Sequence, residues 1–186
     1  MKLIIKVFLI FIFLIGCNND LSKKKINDTS FVEQKSTNTI EKDNDLFYKI
    51  KLLDSLFFEI AYNTCDSLLG RTLISKDFEF YHDQGGALLD EPNELASEIM
   101  VEDLSWICTD THRKLVSNSM EVFPLYEKNE LYGAIQKGDH QFYKVEDKIP
   151  TELKMNAKFI HLWMLEDNDW KLKRVFSFDH QEVIKN

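Results

Sequence analysis

The sequence predicts an α+β fold, with helices first and an antiparallel sheet last. Two observations predict it. Leu46, Ile50, Leu53, Phe57 and Ile60 recur at i, i+4, i+7, i+11 and i+14, the stripe of an amphipathic helix. In the second half of the chain the pattern changes. Segments 113–126, 131–143, 155–166 and 170–179 are rich in Val, Ile, Phe, Tyr and Trp and are divided by short polar connections. Helices gathered ahead of a run of strands bury their apolar stripes on one face of the sheet.

The elements follow in order. Asp45 is available as N-cap of the first helix. Cys65 to Ile74 predicts a second, short helix, and Phe78 to His82 a strand stopped by Gly85-Gly86. Pro92 suits a first helical turn, ahead of a helix to about Cys108 whose buried face is Leu95, Ala96, Ile99, Met100, Leu104 and Ile107. Four strands then follow, joined through Lys128-Asn129, Glu146 to Pro150, and Asp167-Asn168-Asp169. Such short polar joints imply hairpins.

Ahead of this domain, placed at residues 45–186, stands a different kind of sequence. Met1 to Lys6 is basic, Val7 to Ile15 is apolar, and Leu14-Ile15-Gly16-Cys17 closes the run. Lys6 interrupts an apolar stretch already too short for the roughly 20 residues of a spanning helix. Those last four residues resemble the lipobox of bacterial lipoproteins. The resemblance implies a signal peptide over 1–16, acylation of Cys17, and Cys17 as mature N-terminus. Asn18 after the cysteine fits the outer membrane, facing the periplasm, better than the inner membrane. Residues 17–44 are polar and without period, which predicts a disordered tether reaching on the order of 30 Å.

The net charge is −8, and loss of residues 1–16 removes only Lys2 and Lys6. An acidic chain of this kind repels phosphate backbones, so nucleic acid is excluded as a partner. Membrane attachment then falls to the acyl chains. Cys65 and Cys108 remain as a pair. In an exported protein they are either a disulfide closing a loop of about 40 residues or two buried thiols.

Five stretches carry a second resemblance: 61–66 (AYNTCD), 78–86 (FEFYHDQGG), 138–143 (GDHQFY), 158–163 (KFIHLW) and 170–175 (WKLKRV). Together with the element order they resemble the nuclear transport factor 2-like superfamily, which includes ketosteroid isomerase and the SnoaL-like cyclases. More narrowly they resemble its domain of unknown function 4440 branch. The resemblance covers about 46–180. It implies a curved antiparallel sheet wrapped on N-terminal helices into a cone with a pocket at its wide end. The isomerases' aspartate base and Tyr/Asp oxyanion pair find no matching positions here, so no catalytic residue carries over.

Strand alternation sorts the candidate residues by face. Phe80 and His82 share one face of 78–82, His140 one face of 134–142, and Phe159, His161 and Trp163 one face of 157–165. If these faces are concave, the six residues line one apolar pocket with few polar groups. The three histidines lack HxH or HxxxH spacing, so no metal site is predicted. They are pocket-lining or structural. His82, Asp83, Asp179 and His180 are acid/base candidates, since a carboxylate beside a histidine fixes its tautomer. Asp83 before Gln84-Gly85-Gly86 also reads as a turn-former. Arg113 and Arg174 could clamp an anion or form structural salt bridges. There is no GxSxG, P-loop, GxGxxG or CxxC, and no cofactor is implied. Three functions stay open: a lipid-anchored small-molecule binding domain first, a cofactor-free lyase, isomerase or hydrolase second, a partner-binding module third. The outward set Ile160, Leu162 and Met164 predicts a homodimer through the sheet.

Overall fold

The computed structural model describes residues 44–184. The predicted signal, Cys17 and nearly all of the tether lie outside the described residues. The first helix, α1, runs over 44–64 and is π-helical over Ser55–Tyr62. Residues 44 and 45 are already helical, so Asp45 is a helical residue and not the cap. The stripe read from sequence is the buried one for Leu46, Ile50, Leu53 and Phe57, while Ile60 is exposed. The wider π turn brings Phe57 and Phe58 inward together. Helix α2 (Ser67–Leu73) is capped by Asp66, whose carboxylate accepts the Leu69 N–H at 2.9 Å.

Strand β1 (Ile74–His82) turns back into the short β2 (Gly86–Leu88). Helix α3 is shorter than expected, Ala96–Asp103, with a single 3-10 turn over Ile107–Thr109. Pro92 is not in its first turn. It sits in a tight turn closed by Glu91 and Glu94, and Asp90 caps α3 by accepting the Ala96 N–H.

The segment read as one strand over 113–126 is two, β3 (Thr111–Leu115) and β4 (Glu121–Glu127). Asn118, at φ 62°, sits in the loop that divides them. Both pair with the long β5 (Glu130–Glu146), β4 with its first half and β3 with its second. Strands β6 (Ile149–Glu166) and β7 (Asp169–Glu182) follow as hairpins. The three predicted connections are two-residue turns with both residues at positive φ: Lys128-Asn129, Asp147-Lys148 and Asp167-Asn168.

Sheet order is β2-β1-β7-β6-β5-β3, antiparallel except where β1 lies parallel to β7. The helices cover one face of this curved, unclosed sheet, and Ile50, Phe57, Phe78, Leu104, Trp163 and Leu172 form the core between them. No described helix is long and apolar enough to cross a membrane. The sulfurs of Cys65 and Cys108 are bonded, tying the end of α1 to the 3-10 turn.

Candidate functional site

Between helices and sheet lies a cavity of about 720 Å³. Phe57, Phe58 and Tyr62 of α1 wall one side; Phe78, Phe80 and His82 of β1, His140 and Phe142 of β5, and His161 of β6 wall the other. Four of the six predicted lining residues therefore reach it: Phe80, His82, His140 and His161. Phe159 and Trp163 share the inward face but are not part of the cavity lining; His161 is, although it is as fully buried as they are. Phe159 is covered by His161, whose ring stacks on it at 4.3 Å, and by the Arg113 guanidinium.

Below the cavity is a buried polar network. Arg113 donates from both terminal nitrogens to Asp54, at 2.8 and 3.3 Å. Asp54 also accepts from Gln136 Nε2 at 2.8 Å. Gln136 Oε1 in turn accepts from Trp163 Nε1 at 2.7 Å and faces His161 Nδ1 at 3.1 Å. Because this oxygen can only accept, the hydrogen of His161 is on Nδ1 and its Nε2 is a bare acceptor. That Nε2 is buried and has no hydrogen-bond partner. Burial, then the nearby Arg113 charge, holds His161 well below the ordinary imidazole range, so the ring is neutral. Asn63 fixes β3 against α1 by accepting the Arg113 N–H and donating to its carbonyl.

Arg113 is thus a structural ion pair and not an anion clamp: its charge is spent on Asp54 and its face lies 4.0 Å from the Phe58 ring centre. Arg174 pairs with Glu79 and donates to the Asp77 carbonyl, away from the cavity. Neither lines the cavity.

A second polar group stands in the cavity wall. Asp83 Oδ1 accepts from His180 Nδ1 at 2.5 Å, and its other oxygen accepts the His180 backbone N–H at 3.2 Å. His180 Nε2 lies 3.1 Å from Ser177 Oγ, and His140 Nε2 lies 3.3 Å from the same oxygen. Burial raises the Asp83 carboxyl, but the hydrogen bonds from His180 outweigh it and hold the group below the usual range. Burial, reinforced by the Arg113 charge, pushes His140 down to about 2. The predicted pair Asp83 and His180 is therefore in contact. The Asp179 side chain is exposed and paired with Lys158, and only its backbone meets Asp83.

His82 stacks on His180 with ring centres 4.0 Å apart. Ligand atoms of His82, Asp83 and His180 all lie within 4.8 Å of one another. A metal does not fit well there, because His82 Nδ1 already accepts backbone N–H groups from Gln84 and Gly85 and His180 Nδ1 is bonded to Asp83.

Asp54, Gln136 and Ser177 were not singled out from sequence. A signal existed for two of them: Gln136 interrupts the apolar inward set of β5, and Asp54 borders the buried stripe of α1.

No protein-family model matches the sequence, and no curated protein matches it. Solved structures do. A nuclear transport factor 2-like protein with a cystatin-like fold from Novosphingobium aromaticivorans is 10% identical, with TM-score 0.54, over 81% of this chain and 90% of that one. A nuclear transport factor 2 superfamily protein from Salmonella enterica is 15% identical, with TM-score 0.51, over 79% and 94%. A protein of unknown function with a cystatin-like fold from Nostoc punctiforme is 12% identical, with TM-score 0.51, over 69% and 86%. At such identities the likeness is one of fold, and it does not reach the narrower 4440 branch. Helices on one face of a curved, mostly antiparallel sheet, and these neighbours, make this the nuclear transport factor 2-like fold.

Proposed function

We propose that the cavity binds a small, largely apolar organic molecule carrying one hydrogen-bond-donating group. The observation that carries this is the bare Nε2 of His161, a buried acceptor without a partner on a residue of the aromatic cavity's lining. Leaving such an atom unpaired costs about 1–3 kcal/mol, which a ligand hydroxyl or N–H returns. The volume falls in the usual range for small-ligand sites, and the buried cation nearby is neutralised by Asp54, which disfavours anions. The test uses 2-naphthol and its methyl ether, alike in apolar area. Because the hydroxyl gives up its own bond to water, the net gain is about 0.5–1.5 kcal/mol, so the naphthol is expected to bind roughly three- to tenfold more tightly, and His161→Phe to erase the difference. Equal binding of the two by the unaltered protein would remove the support.

We propose further that Cys17 is lipidated and holds the domain at the envelope, in the outer membrane facing the periplasm. We also propose that two copies pair through the outer sheet face. Phe123 and Phe176 are exposed, and Ile160, Leu162 and Met164 are half-buried. Ile160 and Leu162 lie in register with Phe176 and Ile135, so the apolar residues are contiguous across three strands. Cys17→Ser is expected to abolish membrane partitioning. Sedimentation of the full chain is expected to give a dimer. A mutant still bound to membrane, or a monomer well above micromolar concentration, would refute the respective proposal.

A further inference from the structure

We propose that Ser177, His180 and Asp83 form an acyl-transfer triad that hydrolyses small carboxylic esters held in the cavity. This rests on the binding reading and adds a reaction to it. The geometry is directional. Asp83, anchored twice on His180, takes the Nδ1 hydrogen. His180 Nε2 is then the acceptor for the single proton of Ser177 Oγ, 3.1 Å away. His140, given no proton from Ser177, donates from Nε2 to the same oxygen and fixes its position. Ser177 and His180 both line the cavity. A serine bonded to a histidine that a carboxylate orients, here the partly exposed Asp83, is the arrangement that activates a hydroxyl.

A local distortion of the strand makes this possible. Ser177 and His180 are three residues apart, and an unbroken strand would turn them to opposite faces. Asp179 adopts φ 57°, and the β6 partners step by two, Asn156 to Lys158, where β7 steps by three, Gln181 to Phe178. The extra residue is a bulge that returns His180 to the inward face beside Ser177. A non-glycine residue in the left-handed region is uncommon and concentrates at functional sites.

In the reaction, Ser177 Oγ bonds to the ester carbonyl carbon while its proton passes to His180 Nε2. The bond from that carbon to the alcohol oxygen breaks, and the departing oxygen takes the proton. Water then attacks the acyl-serine, gives its proton to Nε2, and releases the carboxylic acid as the proton returns to Oγ. The sum is ester and water to acid and alcohol. His82, the register partner of Ser177 on β1, accepts backbone N–H groups at Nδ1 and so carries its hydrogen on Nε2. It is a donor on the cavity wall for the developing oxyanion.

The test uses the purified full chain with two probes, an alkyl fluorophosphonate and p-nitrophenyl butyrate. A single phosphonate adduct mapped to Ser177 by peptide mass spectrometry is expected. Turnover of the ester is expected to fall roughly 100-fold or more in Ser177→Ala and His180→Gln. Asp83→Asn, which acts through His180, should lower kcat and leave KM unchanged. Adduct mapping needs no variant, so it decides the matter even if a substitution unfolds the protein. No adduct, an adduct on another residue, or undiminished turnover in a folded Ser177→Ala protein overturns the triad. Affinity for 2-naphthol separates the two readings: binding without an adduct leaves the pocket standing, and an adduct without binding leaves the triad standing.

Discussion

His161 does two things at once. Its Nδ1 is tied into the Gln136, Asp54 and Arg113 network, and its Nε2 is buried without a partner while the ring lines the cavity. Trp163 belongs to the first role only. It is fully buried and donates to Gln136. Trp163→Ala is therefore expected to cost about 3–5 kcal/mol by urea denaturation, the value for a filled core. A loss under 1 kcal/mol would mean the ring borders open space. Alternation along the strands put His140, His161 and Trp163 on the inward face correctly. It could not tell which inward residues meet the cavity and which lie beneath it, because that depends on α1 and Arg113 packing over Phe159. Asp54 and Arg113 are 59 residues apart in sequence, and nothing local to either announces the partner.

At the scale of elements, what was legible was what short-range chemistry decides. Turn residues marked the hairpins of β5, β6 and β7, and the apolar stripe marked α1. The break between β3 and β4 was missed because one Asn-Ser step inside a β-rich run is a weak signal. The bulge at Asp179 was missed because a register shift follows from pairing with β6, which the sequence of β7 does not contain. The Cys65–Cys108 bridge joins α1 to the turn after α3, spanning 43 residues. Reduction, or replacement of both cysteines by Ala, is expected to lower stability by about 2–4 kcal/mol, read as a shift in urea midpoint. An unchanged midpoint would show that the bridge constrains nothing that packing does not already hold.

The whole molecule is organised around buried, neutral imidazoles, and this makes its stability pH-dependent. Burial holds His140 down to about 2 and His161 well below the ordinary value. Both stay neutral in the folded state but protonate near 6.5 once unfolded. Their contribution is therefore intact above pH 6.5 and declines as pH falls below it, toward the depressed folded values. His140 alone imposes about 1.4 kcal/mol per pH unit, so two units of acid remove about 3 kcal/mol, and His161 adds to the loss in the same direction. Denaturation measured between pH 4.5 and 7 should show stability falling with acid, and His140→Phe should make the fall clearly shallower. The fold class and the sheet were open to sequence reasoning because they follow from composition and period. The cavity was not, since it is the space left when helices and sheet meet.

The central claim is that His161 offers a bare Nε2 to a ligand's hydrogen. Nitrogen-15 spectroscopy of the histidine rings reports this directly. In the free protein His161 should show a protonated Nδ1 and an unprotonated, pyridine-like Nε2. Addition of 2-naphthol should move the Nε2 resonance upfield as it accepts a hydrogen bond, while 2-methoxynaphthalene should leave it nearly in place. An Nε2 that is already protonated, or one that does not respond to bound naphthol, would contradict the account.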